Sequence, residues 1–130
     1  MRATMFALLC LFTFAATASA ESGDQTATGM ESRFWLTAYE HPEPEWNTMA
    51  MSWVHGFYKG AMMFGGVQCP QALSVRTLAA ATADVIKQRK QPNEDAALAV
   101  LVAATQQGCS VDPQAIRRGA DLLEKKWRAK

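Results

Sequence analysis

The chain has 130 residues, of which 49% are hydrophobic and 19% are charged, and its formal net charge is +1. The apolar fraction is too high, and the charge too low, for a disordered acidic or basic chain. The length accommodates a single small domain. Because the chain has no large positive excess, its composition also argues against a nucleic-acid-binding protein.

Residues 1–20 have the organisation of a secretory signal peptide. Arg2 supplies the positive charge, residues 6–16 form the apolar region, and Ala18-Ser19-Ala20 fits a cleavage site. The apolar run is too short to span a bilayer, which takes roughly 20 residues. We therefore expect cleavage after Ala20 and an exported, periplasmic protein without a stable membrane anchor. Residues 21–29 are polar and are expected to form a flexible leader.

Charge is unevenly distributed along the expected mature chain, which holds 12 Lys+Arg and 12 Asp+Glu once Arg2 is removed. Residues 21–68 carry two positive and six negative side chains, whereas residues 113–130 carry six positive and two negative ones. Two interpretations are open. In the first, the oppositely charged ends of the chain attract each other, and the basic end of the last helix is solvated. In the second, the basic segment is a surface that binds an acidic partner.

Two cysteines, Cys69 and Cys109, remain after the signal peptide is removed. An even pair in an exported chain favours a disulfide. Closing a loop of that length would stabilise the fold by about 4 kcal/mol. A metal pair and a catalytic thiol are the alternatives, and the spacing of the two residues makes a poor zinc site.

Hydrophobic periodicity and capping residues predict five helices and no hairpin. The predicted ranges are 30–40, 45–64, 75–90, 94–107 and 113–128. Ser74, Asn93 and Asp112 are expected to cap the last three helices, and the Ala-rich fourth helix is expected to be buried on most faces. The fold class is therefore all-α, a small helical bundle with one disulfide. Its domain covers residues 30–112, and the basic amphipathic helix within 113–130 packs on it.

Apolar stripes on the helices give the candidate core. The first helix carries Phe34, Trp35, Ala38 and Tyr39, and the fifth carries Ile116, Ala120, Leu123 and Trp127. The second helix has the most aromatic stripe, with Trp46, Met49, Ala50, Trp53, Val54, Phe57 and Ala61. We expect most of these aromatic and methionine side chains in the core, with an exposed partner-binding patch as the alternative.

Two glycines interrupt the second helix. Gly56 and Gly60 lie four residues apart and share a face with Ser52. Each glycine costs a helix interior roughly 1 kcal/mol relative to alanine. The simplest interpretation is the close approach of another helix, and a binding groove is the alternative.

No pattern of catalysis, nucleotide binding or metal binding is found in the sequence. His41 and His55, the two histidines, fit a proline-rich turn and a polar helix face. Glu43 and Glu45 flank Pro44 at a helix start, where their negative charges interact favourably with the positive end of the helix dipole. We therefore expect a protein that is not an enzyme and that carries neither cofactor nor metal.

The order of motifs along the chain resembles a known family. W-V-x-G-F-x-x-G at 53–60 contributes Trp53, Gly56, Phe57 and Gly60, and V-Q-C-P at 67–70 contributes Cys69 and Pro70. An apolar helix follows, and then an Ala-rich helix that ends in Cys109. This pattern, over about residues 30–109, resembles the Rap/Tai-type immunity proteins. It is more distantly similar to the HdeA-type acid-stress chaperones.

The resemblance implies a function. Rap/Tai-type proteins are small periplasmic helical proteins that protect a cell from peptidoglycan-cleaving amidase toxins delivered by type VI secretion. The expected function is thus a non-catalytic, immunity-like inhibitor that binds a protein partner such as a secreted amidase. An acid-stress chaperone and a structural envelope protein are the alternatives. The contact residues and the oligomeric state, including a homodimer, remain open.

Overall fold

A computed structural model describes residues 28–129 of the chain. The described residues form five helices, as predicted, and the fold is all-α with one small two-stranded sheet. The helices are α1 Ser32–Tyr39, α2 Pro44–Met63, α3 Val75–Arg89, α4 Ala96–Gln106 and α5 Pro113–Arg128, and the strands are β1 Val67–Gln68 and β2 Ser110–Val111. The predicted signal peptide and residues 21–27 of the predicted leader lie outside the described residues.

Local side-chain chemistry sets the helix starts. Ser74 accepts a hydrogen bond from the Thr77 backbone N–H at the start of α3, as predicted. Asp112 likewise caps α5, which has Pro113 in its first turn. The predicted cap of α4, Asn93, is wrong: Asp95 accepts from the Ala97 N–H instead. Either side chain can cap a helix, and the one next to the first helical residue is used.

The end of α2 follows the glycine pair in the sequence. The Gly66 N–H donates to the Ala61 carbonyl and the Gly65 N–H donates to the Met62 carbonyl. Gly65 has a φ of 70°, a left-handed conformation that only glycine adopts without strain. This hydrogen-bond pattern is a Schellman motif, and it turns the chain directly into β1.

The centre of the core lies between α3 and α4, which pack against each other most extensively. Small side chains make close packing possible, and the buried alanines are Ala79, Ala83, Ala96, Ala97, Ala99, Ala103 and Ala104. Leu78, Val85 and Val100 fill the remaining space and are at most 2% exposed. The prediction that α4 is buried on most faces is confirmed, although Leu98 remains 42% exposed.

The predicted disulfide is present between Cys69 and Cys109. It lies at one end of a short antiparallel ribbon, in which Val67 pairs with Val111 and Gln68 pairs with Ser110. Cys69 directly follows β1 and Cys109 directly precedes β2. The sequence contains no hairpin turn because the two strands are separated by the whole α3–α4 hairpin, and the ribbon was therefore not predicted.

The buried face of α2 differs from its predicted stripe. Its buried residues are Ala50, Val54, Tyr58 and Ala61. Trp46 and Met49, which were predicted in the core, are each 46% exposed. Tyr58 takes their place because its hydroxyl donates to the Sγ of Cys69 at 3.3 Å, which satisfies a polar group that would otherwise be buried unpaired.

α5 packs on the domain through its first two turns. Ala115 and Gly119 are buried, and Ile116 is half-buried. The remaining members of the predicted stripe are exposed, with Leu123 at 49% and Trp127 at 80%. Only the beginning of this amphipathic helix therefore contributes to the core.

Candidate functional site: an apolar groove between the first two helices

An open groove lies between α1 and α2, and we call it the α1–α2 groove. Its volume is about 620 Å³, within the range of sites that bind small molecules or short segments of another chain. The residues that line it are Met30, Phe34, Trp35, Thr37, Ala38, His41, Trp46, Met49, Ala50 and Trp53. Most are large and apolar, so the groove offers contact area with little hydrogen-bonding specificity.

Trp35 forms the floor of the groove. It is 1% exposed, and its indole N–H donates to the Ala50 carbonyl of α2 at 3.0 Å. Its ring stacks on Tyr39, with 5.0 Å between ring centroids. These contacts hold the indole in one orientation, so the floor is rigid before anything binds.

The rim of the groove is exposed and apolar. Phe34 from α1 is 58% exposed, a correction to its predicted place in the core stripe. Trp46 and Met49 from α2 form the opposite side of the rim. The Arg33 guanidinium lies 4.7 Å from the centroid of the Phe34 ring, a cation–π geometry that restricts the exposed ring.

The loop between α1 and α2 is fixed by hydrogen bonds. The Asn47 side-chain amide donates to the Tyr39 carbonyl at 2.6 Å, and the Glu43 N–H donates to Nδ1 of His41 at 3.1 Å. The His41 ring lies 5.6 Å from the Trp46 ring, centroid to centroid. His41, predicted as a solvated turn residue, is therefore a half-buried part of the groove wall.

Two ion pairs attach the surroundings of the groove to the core. Lys87 of α3 pairs with Glu40 at the end of α1, and this hydrogen bond raises the pKa of Lys87 above its usual value. Arg89 donates to both carboxylate oxygens of Glu94, at 2.7 and 2.6 Å, and this bidentate hydrogen bond raises the pKa of Arg89. Both cations are exposed, so the pairs orient the helices and add little stability.

The start of α1 is tied to the turn before α4. The Ser32 N–H donates to the Glu94 carbonyl at 2.8 Å, and the Ala96 N–H donates to the Met30 carbonyl at 2.8 Å. Thr28, in the predicted leader, donates its hydroxyl to the Asp95 carboxylate at 2.8 Å. The groove is therefore built on a short helix that is held at both ends.

The two aromatic residues of the W-V-x-G-F-x-x-G motif lie together at the groove. Trp53 lines the groove, and Phe57 stacks on it with 5.8 Å between ring centroids. The predicted close approach at Gly56 and Gly60 is wrong, because a Cβ built on either residue meets nothing within 4 Å. Tight contacts occur instead at Gly66, where a Cβ would lie 2.1 Å from Cγ1 of Ile116, and at Gly119 of α5, where it would lie 2.2 Å from the Phe64 ring.

The disulfide and Pro70 lie at the other end of α2. Cys69 contacts Tyr58, about one helical turn from the end of α2, whereas Trp46 and Met49 lie in its first two turns. A helix rises 1.5 Å per residue, so roughly 15 Å of α2 separates these two residues from Tyr58, and about 7 Å separates Tyr58 from Trp53, which also lines the groove. Cys69, Cys109 and Pro70 therefore contribute to stability at a distance from the groove.

The groove supplies contact surface with few reactive groups. Among its described lining residues, His41 alone has an ionisable side chain. Within residues 28–129, no group of three His, Cys, Asp or Glu side chains is arranged to hold a metal ion. None of the helices in this part of the chain has the length and apolar character needed to cross a bilayer.

Comparisons of the chain with protein-family models, with characterised proteins and with solved structures found no match.

Proposed function

We propose that this protein is a non-catalytic binding protein that holds an apolar segment of a protein partner in the α1–α2 groove. The proposal depends on one observation: Phe34, Trp46 and Met49 are exposed around the rigid floor formed by Trp35. Apolar surface gains about 25 cal/mol for each Å² removed from water, so covering this rim is favourable.

The composition of the rim suits a protein interface. Tryptophan is enriched among the few side chains that carry most of the binding energy at such interfaces, and methionine adapts to irregular partners. The floor is already ordered by the hydrogen bond to Ala50. Binding would therefore order only the exposed rim side chains, which keeps its entropic cost low.

Within this class we infer an exported, periplasmic immunity-like protein that blocks the cleft of a peptidoglycan-cleaving amidase. The resemblance of the W-V-x-G-F-x-x-G and V-Q-C-P segments to the Rap/Tai-type proteins supports it. The disulfide is compatible with an oxidising, exported location. Blocking a cleft requires shape and apolar contact, and no catalytic side chain is needed.

The test uses a peptidoglycan amidase, taken first from the genes adjacent to this one. Purified hydrolase is mixed with an equimolar amount of the oxidised chain, and the release of soluble peptidoglycan fragments is measured. We expect inhibition by the wild-type chain and at least a tenfold weaker affinity for Trp46→Ala and for Met49→Ala, because truncation of a central aromatic or methionine anchor commonly costs more than about 1.4 kcal/mol.

Met63→Ala is the matched control. Met63 lies at the other end of α2 and is 81% exposed, so the same truncation is made outside the groove. It should inhibit as the wild type does. Full inhibition by the Trp46→Ala and Met49→Ala double variant would contradict the role of the groove. A neighbouring hydrolase that neither binds nor is inhibited would contradict the immunity function.

The second candidate is a chaperone of the HdeA type. The observation that favours it is the open, weakly polar groove, which could hold apolar segments of many unfolded proteins. Light scattering of an acid-denatured client protein tests this function. A chaperone should suppress the scattering when it is present at a low molar ratio to the client protein. The Trp46→Ala variant should suppress it less. Unchanged aggregation would exclude this candidate.

A further inference from the structure

The second half of α5 has no cover in the described part of the chain. Every residue from Ala120 to Ala129 is exposed. Leu122, Leu123 and Trp127 are 64%, 49% and 80% exposed. An amphipathic helix of a globular domain normally directs such side chains at its own core. The exposed side chains of α5 are therefore available to a partner outside the described part of the chain.

The start of α5 is firmly held, so the exposed half has a fixed orientation. The Asp112 carboxylate accepts hydrogen bonds from the Gln114 and Ala115 N–H groups, and the Asp112 N–H donates to the Gly66 carbonyl at 2.7 Å. Gly119 lies directly against the Phe64 ring. The helix is thus anchored over its first two turns and presents the rest of its length to the surroundings.

The exposed apolar residues of α5 occupy one side of the helix. With 3.6 residues per turn, the positions of Ala120, Leu122, Leu123 and Trp127 fall within an arc of about 160°, which also contains Lys126. The arc continues, beyond the domain, the side of α5 through which its first two turns pack on the domain. We call this the apolar arc of α5. It is wider than the narrow seam with which one helix packs along another. A wide stripe also faces the core in globular domains, so the charge beside the arc is what favours a lipid surface.

Positive charge surrounds the apolar arc. α5 contains five cations, Arg117, Arg118, Lys125, Lys126 and Arg128, and two acids, Asp121 and Glu124. Arg128 pairs with Glu124 of the same helix. A guanidinium nitrogen of Arg118 lies 3.8 Å from a carboxylate oxygen of Asp112, the residue before α5. Within residues 28–129, Lys125 and Lys126 form no ion pair. Both lysines directly precede Trp127 in the sequence and place positive charge next to it.

We propose that α5 binds the surface of an anionic phospholipid bilayer, with its apolar arc at the boundary between headgroups and acyl chains. Cations beside a wide apolar face, with a tryptophan among them, are the features of helices that lie in this interface. The charges complement those of anionic lipid headgroups. A basic amphipathic helix can also lie in the groove of an acidic protein, and the experiment below separates that partner from a lipid surface.

Attachment through one such helix is reversible and leaves the domain on the membrane surface. It places the α1–α2 groove near the membrane without using any groove residue. The proposal is therefore independent of the proposed function, and either can fail without the other.

The test is co-sedimentation with vesicles. The chain is purified after export, and mass spectrometry establishes its first residue, so that retained residues 1–20 cannot account for binding. We expect binding to vesicles of equal parts phosphatidylcholine and phosphatidylglycerol, little binding to phosphatidylcholine alone, and release as salt is raised. The K125E/K126E variant should bind at least thirtyfold more weakly, because each cation near an anionic surface contributes about fivefold.

L122A/W127A removes the apolar contribution and should weaken binding at least tenfold. The matched control is K59E/R76E, which changes the net charge by the same amount on exposed positions of α2 and α3. It should alter binding less than threefold. Circular dichroism should be the same for all variants, because each substituted residue is exposed.

Several outcomes would overturn the proposal. Failure of the wild-type chain to sediment with anionic vesicles would do so, and so would binding that K125E/K126E and L122A/W127A leave intact. An equal loss in K59E/R76E would show a general charge effect in place of an α5 site. Capture of α5 by an acidic protein without vesicle binding would assign the helix to a protein partner and would also overturn it.

Discussion

The α3–α4 pair and the α1–α2 pair are both antiparallel helical hairpins, but one is closed and the other is open. α3 and α4 have similar lengths and meet through buried alanines, so little of their shared face reaches solvent. α1 has 8 residues against 20 in α2 and carries large aromatic side chains. A helix of that length, about 12 Å, leaves much of α2 uncovered. The closed hairpin supplies stability, and the open one supplies surface.

Loss of the disulfide should have the largest effect on the closed part of the molecule. Replacing both cysteines, as in Cys69→Ala with Cys109→Ala, removes a constraint across 40 positions. We expect the free energy of unfolding to fall by about 4 kcal/mol, measured by urea denaturation. Adding reductant to the wild type should lower its stability similarly and should leave the double variant unchanged. A loss below about 1 kcal/mol would contradict this prediction.

Substitutions in the two hairpins should separate stability from binding. Leu78 in α3 is 1% exposed, and Leu78→Ala should cost about 3 kcal/mol by leaving a cavity. Trp46 in the open hairpin is 46% exposed, and Trp46→Ala should cost about 1 kcal/mol or less, because much of its surface is already in water. Urea denaturation of the two variants measures both values. Similar losses would remove the distinction between the hairpins.

Two glycine substitutions should change the free energy of unfolding in opposite directions. Gly119→Ala places a Cβ 2.2 Å from the Phe64 ring and should cost about 1–2 kcal/mol, because the ring must move. Gly56→Ala lies in the interior of α2 with open space around it and should stabilise the fold by about 1 kcal/mol. The difference between the midpoints of urea denaturation of the two variants checks both. Two destabilised variants would show that Gly56 is packed after all.

Much of this architecture could be predicted from the sequence, because local chemistry determines it. Ser74 and Asp112 each act within a few residues of the chain and mark helix starts as expected, and the Gly65-Gly66 pair acts as locally at the end of α2. The disulfide was predicted from the count of cysteines and the expected export. The β1–β2 ribbon joins segments about 40 residues apart, and no local sequence pattern predicts it.

The candidate site was only partly predictable. Apolar spacing on α2 identifies a wide apolar surface, but it does not determine which side of that surface the short α1 covers. The exposure of Trp46 and Met49 therefore follows from the length of a neighbouring helix and from the burial of Tyr58 against Cys69. The alternative of an exposed patch was justified for these side chains. Phe34, on the opposite rim, was assigned to the core because it belongs to the apolar stripe of the first helix.

The smallest predicted effect compares one buried hydroxyl in each hairpin. Ser32 at the start of α1 is 1% exposed, and its Oγ has no hydrogen-bond partner among the described residues. Thr82 in α3 is fully buried, and its hydroxyl donates to the Leu78 carbonyl at 2.8 Å. Ser32→Ala should therefore stabilise the fold by roughly 0.5–1 kcal/mol, since it removes an unpaired polar atom.

Thr82→Val, which keeps the shape of the side chain, should instead cost roughly 0.5–1 kcal/mol because a formed hydrogen bond is lost. Urea denaturation of both variants under the same conditions gives the comparison. A destabilised Ser32→Ala variant would mean that this hydroxyl is paired in solution. In that case the buried polar atoms of the open hairpin are hydrogen-bonded as completely as those of the closed one, and only the exposed aromatic rim would distinguish the two.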